Sequence, residues 1–376
     1  MSQTGIIGIV GGGQLGRMLT EAALPLGFKV IVVDPGENCP AAQAGAEQIV
    51  GDLYDAAALK TLAERSDYIT VEIEHLDASL LEDIATSGKP VNPAPQTIRL
   101  IQDKLDQKVF LQNAGIPIAD FIEITDVASA EKALQDFGGK MVLKSRYGAY
   151  DGRGNAVVND PSEIETAMES LGGQLYAEKF IPFKKELAVM VARDSKGNVV
   201  AYPVTETIQE RNICIETLTP AEISAEMTEQ ATGFATDVAK HLEGAGVFGI
   251  EMFLTDDDRI LINEIAPRVH NSGHYTIEAC ETSQFEQHIR AITDMELGSA
   301  ALKVPAAVMI NILGERDGPT DIQGLEEASA IPGIAVHLYG KSPTKIDRKM
   351  GHITATGANL KEARERAEQA RKLIDV

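Results

Sequence analysis

The first hundred residues alternate short apolar runs with helical patterns. Ile6, Ile7, Ile9 and Val10 form an unbroken apolar run, as a strand buried on both faces of a parallel sheet requires. Leu15, Met18, Leu19, Ala22 and Ala23 then recur at helical spacing, and Val30 to Val33 make a second strand. Two weaker strand–helix units follow: "AEQIVGD" with a helix around Ala56 to Arg65, and "YITVEIE" with a helix around Ala78 to Thr86. The pattern predicts a doubly wound α/β domain over residues 1–95.

Pro93 and Pro95 close that unit, and a helix is expected from about Gln96 to Asn113. The pattern then turns mixed. "MVLKS", "NAVV", "LYAEKFI", "ELAVMVAR" and "VVAYPVTE" read as strands, the last two joined at "DSKGN" as a hairpin. A long helix is expected over about Pro220 to Leu242, then the strands "VFGIEMFLT" and "RILINEI", then a helix from about Thr276 to Thr293. Short strands and a last helix from Lys361 to Lys372 fill the tail. The expected second domain spans 96–300, with a glycine-rich lid at about 120–185, and a β-rich third spans 301–376.

Composition narrows the partners. The 376 residues carry a formal charge of −22. A chain this acidic repels nucleic acid and anionic membrane, so small molecules or protein are the expected partners. Cys39, Cys214 and Cys280 are far apart with no C-x-x-C, which argues against a disulfide framework or structural zinc and fits a reducing cytoplasm. No basic leader precedes the first strand, and no apolar run reaches the roughly 20 residues of a membrane span.

Four stretches carry candidate chemistry. In "GGGQLG", Gly11, Gly13 and Gly16 stand in G-x-G-x-x-G register between strand and helix, with Asp34 ending the next strand. That is a dinucleotide fingerprint and supports an NAD-dependent dehydrogenase as one reading; the other is a tight turn whose helix start can hold any anion. In "LKSRYGAYDGRGN", Gly148, Gly152 and Gly154 make a loop between strands with Lys144 at its base. It lacks the Walker A pattern, but a glycine-rich hairpin can fold over a triphosphate, with Lys144 against the phosphates.

The third stretch is the hairpin around "DDDR". A symmetric even-numbered turn centred between Asp257 and Asp258 places Glu251 opposite Glu264 on one face, with Cβ atoms roughly 5 Å apart. Two carboxylates so close need a cation, and Mg²⁺ with nucleotide phosphates suits the pair. Asn263 then points to the opposite face unless the strand bends. An odd loop or a bulge would part the pair. The fourth stretch, "NEIAPRVHNSGH", follows directly with Arg268, His270, Asn271, Ser272 and His274. Arginine suits bidentate anion binding. His270 and His274 also have zinc-pair spacing, but Gly273 weakens a helix there and no third ligand is evident.

Lys104, Lys144, "AYDGRGN", "EKFI", Glu186, the Glu251/Glu264 pair and "NEIAPRVHNSGH" resemble the ATP-grasp fold. With "GGGQLGRML", "VEIEH", "SQFEQHIRAITD" and "DRKMGH" in the same order, the whole chain resembles the N5-carboxyaminoimidazole ribonucleotide synthase family. The resemblance implies a mixed α/β and α+β architecture: an ATP-grasp fold with an N-terminal doubly wound domain and a small C-terminal domain. It implies an ATP- and bicarbonate-dependent carboxylation of aminoimidazole ribonucleotide in purine synthesis.

The resemblance also implies residue roles. Lys104 and Lys144 would contact ATP phosphates, with the loop Ala149, Tyr150, Asp151, Gly152, Arg153, Gly154 and Asn155 closing over them. Glu178, Lys179, Phe180 and Ile181 would bind adenine, Glu186 the ribose, and Glu251 and Glu264 Mg²⁺, with Asn263 and Gln209 nearby. Tyr150, Asp151, Arg153, Arg268 and His270, with Asn271 and Ser272 beside them, would bind the ribonucleotide and the carboxylating intermediate. Asp151, Arg153, Arg268 and His270 are the expected catalytic set, with Asp151 or His270 as proton acceptor. Lys341 and Arg348 would take the 5′-phosphate, and Gln14, Leu15 and Glu72 the substrate's ribose pocket. A homodimer is implied as well.

Two positions depart from the family pattern: Lys104 stands where arginine is frequent, and Gln209 where histidine is usual. The competing readings are another ATP-grasp ligase or formate-using transferase, and the dehydrogenase.

Overall fold

The computed structural model describes residues 5–148 and 154–376. The expected loop residues Ala149, Tyr150, Asp151, Gly152 and Arg153 lie outside the described residues. Three sheets organise the described residues. The first is parallel: strands β1 (Ile6–Val10), β2 (Lys29–Asp34), β3 (Glu47–Val50) and β4 (Tyr68–Val71) lie in the order β3-β2-β1-β4. Ile7, Ile9, Val32 and Val33 are fully buried, which is why these runs show no polar alternation.

The second sheet is antiparallel, in the order β5-β8-β6-β7: β5 (Phe121–Ile124), β6 (Met141–Ser145), β7 (Asn155–Val158) and β8 (Leu175–Lys179). It has its own core, with Met141, Leu143, Ala177 and Ile164 packed together.

The third sheet is the largest. It contains β9 (Phe183–Arg193), β10 (Val199–Ala201), β11 (Thr205–Glu210), β12 (Ile213–Thr219), β13 (Gly246–Thr255), β14 (Ile260–Ala266), β15 (Ala306–Leu313), β16 (Ile334–Leu338) and β17 (Lys349–Gly357). Its order is β14-β13-β9-β11-β12-β15-β17-β16, with β10 on β9. The C-terminal strands therefore continue the central sheet through the β12–β15 pairing.

One core cluster joins the first sheet to the third. Ile9 and Val32 share it with Met190 of β9, Met309 of β15 and Phe285. His288 bridges the same boundary. Its Nδ1 accepts from the Val247 amide at 3.1 Å, so Nε2 carries the proton and donates to Thr70 Oγ1 at 2.8 Å.

Several expected elements are divided. The helix expected from Gln96 to Asn113 is two, Pro95–Gln102 and Lys104–Asn113, because the Asp103 carboxylate leaves the helical pattern and caps the second through Leu105 N at 3.0 Å. "VVAYPVTE" is two strands, β10 and β11. A strand absent from the sequence reading, β12, follows a turn at Arg211 and Asn212, both with positive φ (50° and 62°). Non-glycine residues rarely adopt that conformation, so no turn residue announced the hairpin. The helix expected from Pro220 runs Ala225–His241, capped by Ser224, and that expected from Thr276 is two, Thr276–Ala279 and Gln284–Ile292.

Candidate active site

Glu251 and Glu264 stand on the hairpin β13–β14. Near its turn the register is Leu254↔Ile260, Phe253↔Leu261 and Met252↔Ile262. The even-numbered turn expected from the sequence is therefore wrong: the turn is odd, and continued regularly it would set Glu251 against Asn263. A bulge between Met252 and Glu251 absorbs Asn263, and Glu251 pairs with Glu264. The bulge that was expected to part the carboxylates is what brings them together. Asn263, expected on the far face, lines the same cavity.

That cavity, of about 350 Å³, lies between the second sheet and the third. Lys104, Lys144, Asn155, Glu178, Lys179, Phe180, Ile181, Glu186, Gln209, Glu251, Asn263 and Glu264 all line it. The expected nucleotide residues therefore converge, except Gly154, which borders neither this cavity nor the next among the described residues. A second cavity, of about 860 Å³, opens between the first domain and the C-terminal strands. Gln14, Leu15, Glu72, Lys341 and Arg348 line it. Arg268, His270 and Asn271 line both, so they stand at the junction. Ser272 borders neither cavity; it is buried behind His270, with Oγ 2.8 Å from the ring Nδ1.

Charge is sorted across the first cavity. Burial raises the Glu251 carboxyl, and the neighbouring Glu264 and Glu186 carboxylates add to this, bringing it to about 8. Burial also opposes charge on Glu264, but the Lys104 ammonium, 2.9 Å away, and Lys144 hold it below the usual carboxylate range. Glu178 is pulled against burial to about 2 by Lys108 and by Lys144, 2.9 Å from its other oxygen. Burial raises Glu186 too, and a hydrogen bond from Gln209 opposes it.

At the junction the Arg268 guanidinium forks onto Glu74, Nε to Oε2 at 2.5 Å and Nη2 to Oε1 at 2.9 Å. Glu74 is held at about 2 by this pair despite burial. The fork fixes Arg268 at the boundary of the two cavities. Burial, then the charges of Arg268 and Lys349, push His270 down to about 3. Its Nε2 lies 3.6 Å from Glu251 Oε1.

The amides of the glycine turn are met by a side chain of the same domain. Glu72, at the end of β4, places its two carboxylate oxygens on the amides of Gly13 and Gly16, each at 2.5 Å. The helix start that would cradle a pyrophosphate is already taken by this carboxyl group, which burial raises above the usual carboxylate range. A Cβ on Gly13 would approach Glu72 Oε1 to 2.6 Å, so the glycines make room for that side chain.

Sequence reasoning missed Glu74, Lys108 and Lys349. Glu74 stands two residues after Glu72 in "VEIEH", and that spacing was the available signal. Lys349 lies inside "DRKMGH" and lines both cavities. Lys108 gave no signal, because a lysine inside a helix reads as solvated surface.

Comparison with known proteins agrees with this arrangement. Residues 109–285 match the ATP-grasp domain, 4–102 the ribonucleotide synthetase preATP-grasp domain, and 307–366 the phosphoribosylaminoimidazole carboxylase C-terminal domain. The chain is 40% identical to the N5-carboxyaminoimidazole ribonucleotide synthase of Synechococcus elongatus, over 98% of this chain and 93% of that protein. It is 46% identical to the phosphoribosylaminoimidazole carboxylase of Schizosaccharomyces pombe, but spans 69% of that longer protein, and 64% of its Vigna aconitifolia relative.

Among solved structures, the N5-carboxyaminoimidazole ribonucleotide synthetase of Thermotoga maritima is 44% identical with a TM-score of 0.90 over 99% of both chains. The Aspergillus clavatus synthase, in complex with ADP and 5-aminoimidazole ribonucleotide, is 40% identical with a TM-score of 0.92 over 99% of both chains. The chain belongs to the N5-carboxyaminoimidazole ribonucleotide synthase family of ATP-grasp ligases.

Proposed function

We propose that this chain carboxylates aminoimidazole ribonucleotide at its exocyclic amine, using bicarbonate and ATP and releasing ADP and phosphate. The carrying observation is the shared wall of the two cavities: Arg268 and His270 border both a nucleotide-sized site and a cationic one. ATP takes the first cavity, with adenine against residues 179–181, ribose at Glu186 and phosphates at Lys104 and Lys144. The ribonucleotide takes the second, with its phosphate at Lys341 and Arg348.

Glu251 and Glu264 fit a magnesium ion. They are facing carboxylates, and Glu251 is raised first by burial and then by the neighbouring Glu264 and Glu186 charges, a repulsion that a divalent cation would relieve. Bound there with the nucleotide, the ion would neutralise charge on the transferring phosphoryl group. Lys144 and Arg268 supply the remaining cationic field. A bicarbonate oxygen attacks the γ-phosphorus, giving ADP and carboxyphosphate. The amine nitrogen then bonds to the carboxyl carbon as phosphate leaves and the amine gives up a proton. Burial and the charges of Arg268 and Lys349 favour the neutral form of His270, so it can stand at the junction as a hydrogen-bonding group, with Asp151 or His270 taking the amine's proton.

We also propose a cytoplasmic homodimer, on the cysteine usage and the resemblance already described. Among the described residues no helix is long and apolar enough to cross a membrane.

The test is ADP release with each substrate omitted in turn. Release that requires both the ribonucleotide and bicarbonate, and gains nothing from formate, supports the proposal. Release that proceeds with formate in place of bicarbonate selects the transferase reading instead.

A further inference from the structure

The β14 bulge needs something to hold it, since a bulge leaves one residue out of the ladder. One face of helix Lys104–Asn113 supplies three contacts. Lys104 reaches Glu264 at 2.9 Å, the Gln107 side-chain oxygen accepts from the Ile265 amide at 3.1 Å, and Lys108 donates to the Asn263 carbonyl at 2.7 Å. Positions 104, 107 and 108 share a helix face by their spacing.

Lys108 is the unexpected member. Its side chain is 2% exposed, and its ammonium also lies 3.1 Å from Glu178 Oε1 and 3.5 Å from the Ile262 carbonyl. Glu178 in turn holds Lys144 through its other oxygen at 2.9 Å. Burying an ammonium is costly, and an apolar side chain of equal length would fill the space more cheaply. Here two backbone carbonyls accept from the lysine, and the Glu178 carboxylate beside it balances its charge.

We propose that Lys108 is a positioning residue. By pinning the bulged Asn263 carbonyl it keeps Glu264 in register with Glu251, and through Glu178 it orients Lys144. One buried ammonium thus couples the carboxylate pair to the phosphate-binding lysine. The inference rests on the reading of Glu251 and Glu264 as the magnesium pair.

The test is calorimetric binding of ADP with magnesium and with EDTA, alongside thermal unfolding, for the wild type, Lys108→Met, Lys108→Gln and Glu264→Ala. Magnesium should tighten ADP binding to the wild type. Lys108→Met should lose that tightening by on the order of tenfold, beyond any loss seen with EDTA. A purely structural Lys108 predicts that binding weakens equally with magnesium and with EDTA, and that result overturns the inference. Lys108→Gln keeps a donor without the buried charge, and the same comparison is read from it if Lys108→Met does not fold. If Glu264→Ala itself keeps the magnesium effect, the metal reading fails; if only the Lys108 variants keep it, this inference fails alone.

Discussion

The Glu72 carboxylate lies on the start of the first helix, with Oε2 2.5 Å from the Gly16 amide and Oε1 as close to that of Gly13. Those amides are the ones a dinucleotide pyrophosphate would use, so the glycine fingerprint is met from within the chain. NADH should show no saturable binding by fluorescence titration. Saturable enhancement would show that Glu72 yields the turn to a ligand.

Arg348 lines the second cavity, far along the chain from the carboxylate pair, and its Nη1 is braced by the Pro343 carbonyl at 2.6 Å. If Arg348 holds the 5′-phosphate as proposed, Arg348→Ala removes a contact that the bound substrate and its transition state share. It should raise KM for the ribonucleotide by on the order of tenfold while kcat changes little. Steady-state kinetics with ATP saturating checks this, and a wild-type KM would take Arg348 out of the pocket.

His288 ties the first domain to the central sheet, and burial lowers it to about 4. The unfolded chain, with histidine near 6.5, binds the proton more tightly than the folded one. Its contribution to stability is therefore complete above pH 6.5 and is lost as pH falls from 6.5 towards 4. Between pH 7 and pH 5 that loss amounts to about 2 kcal/mol. Denaturant titrations at the two pH values should show His288→Gln losing less than the wild type by about that amount. Equal losses would mean that His288 does not stay neutral.

Much of this architecture could be read from periodicity, and its failures are instructive. The parallel strands β1 and β2 announced themselves because burial on both faces leaves unbroken apolar runs. Strand β12 did not, since its entry turn uses Arg211 and Asn212 at positive φ in place of glycine. The break at Asp103 was hidden because the apolar spacing continues across it and only the cap reveals it.

The candidate site shows the same division. Glu251 and Glu264 were paired correctly from an incorrect turn, because the odd turn and the Asn263 bulge offset one another. No single-sequence pattern encodes such a bulge when its brace, the Lys108 ammonium, comes from a helix 155 residues away in the chain. Likewise Glu72 was read as a wall of the substrate pocket and lines the second cavity, but its hold on the glycine turn required the fold.

The central claim is that Glu251 and Glu264 together hold the ion that directs ATP's terminal phosphoryl group to bicarbonate. Its most direct test is ADP release by Glu264→Ala with ATP, magnesium, bicarbonate and the ribonucleotide all saturating, checked against the variant's thermal unfolding. The account predicts a folded protein whose ADP release falls by at least about a thousandfold, the scale expected when a charge aimed at the transition state is removed. A folded variant that releases ADP at near the wild-type rate would contradict it.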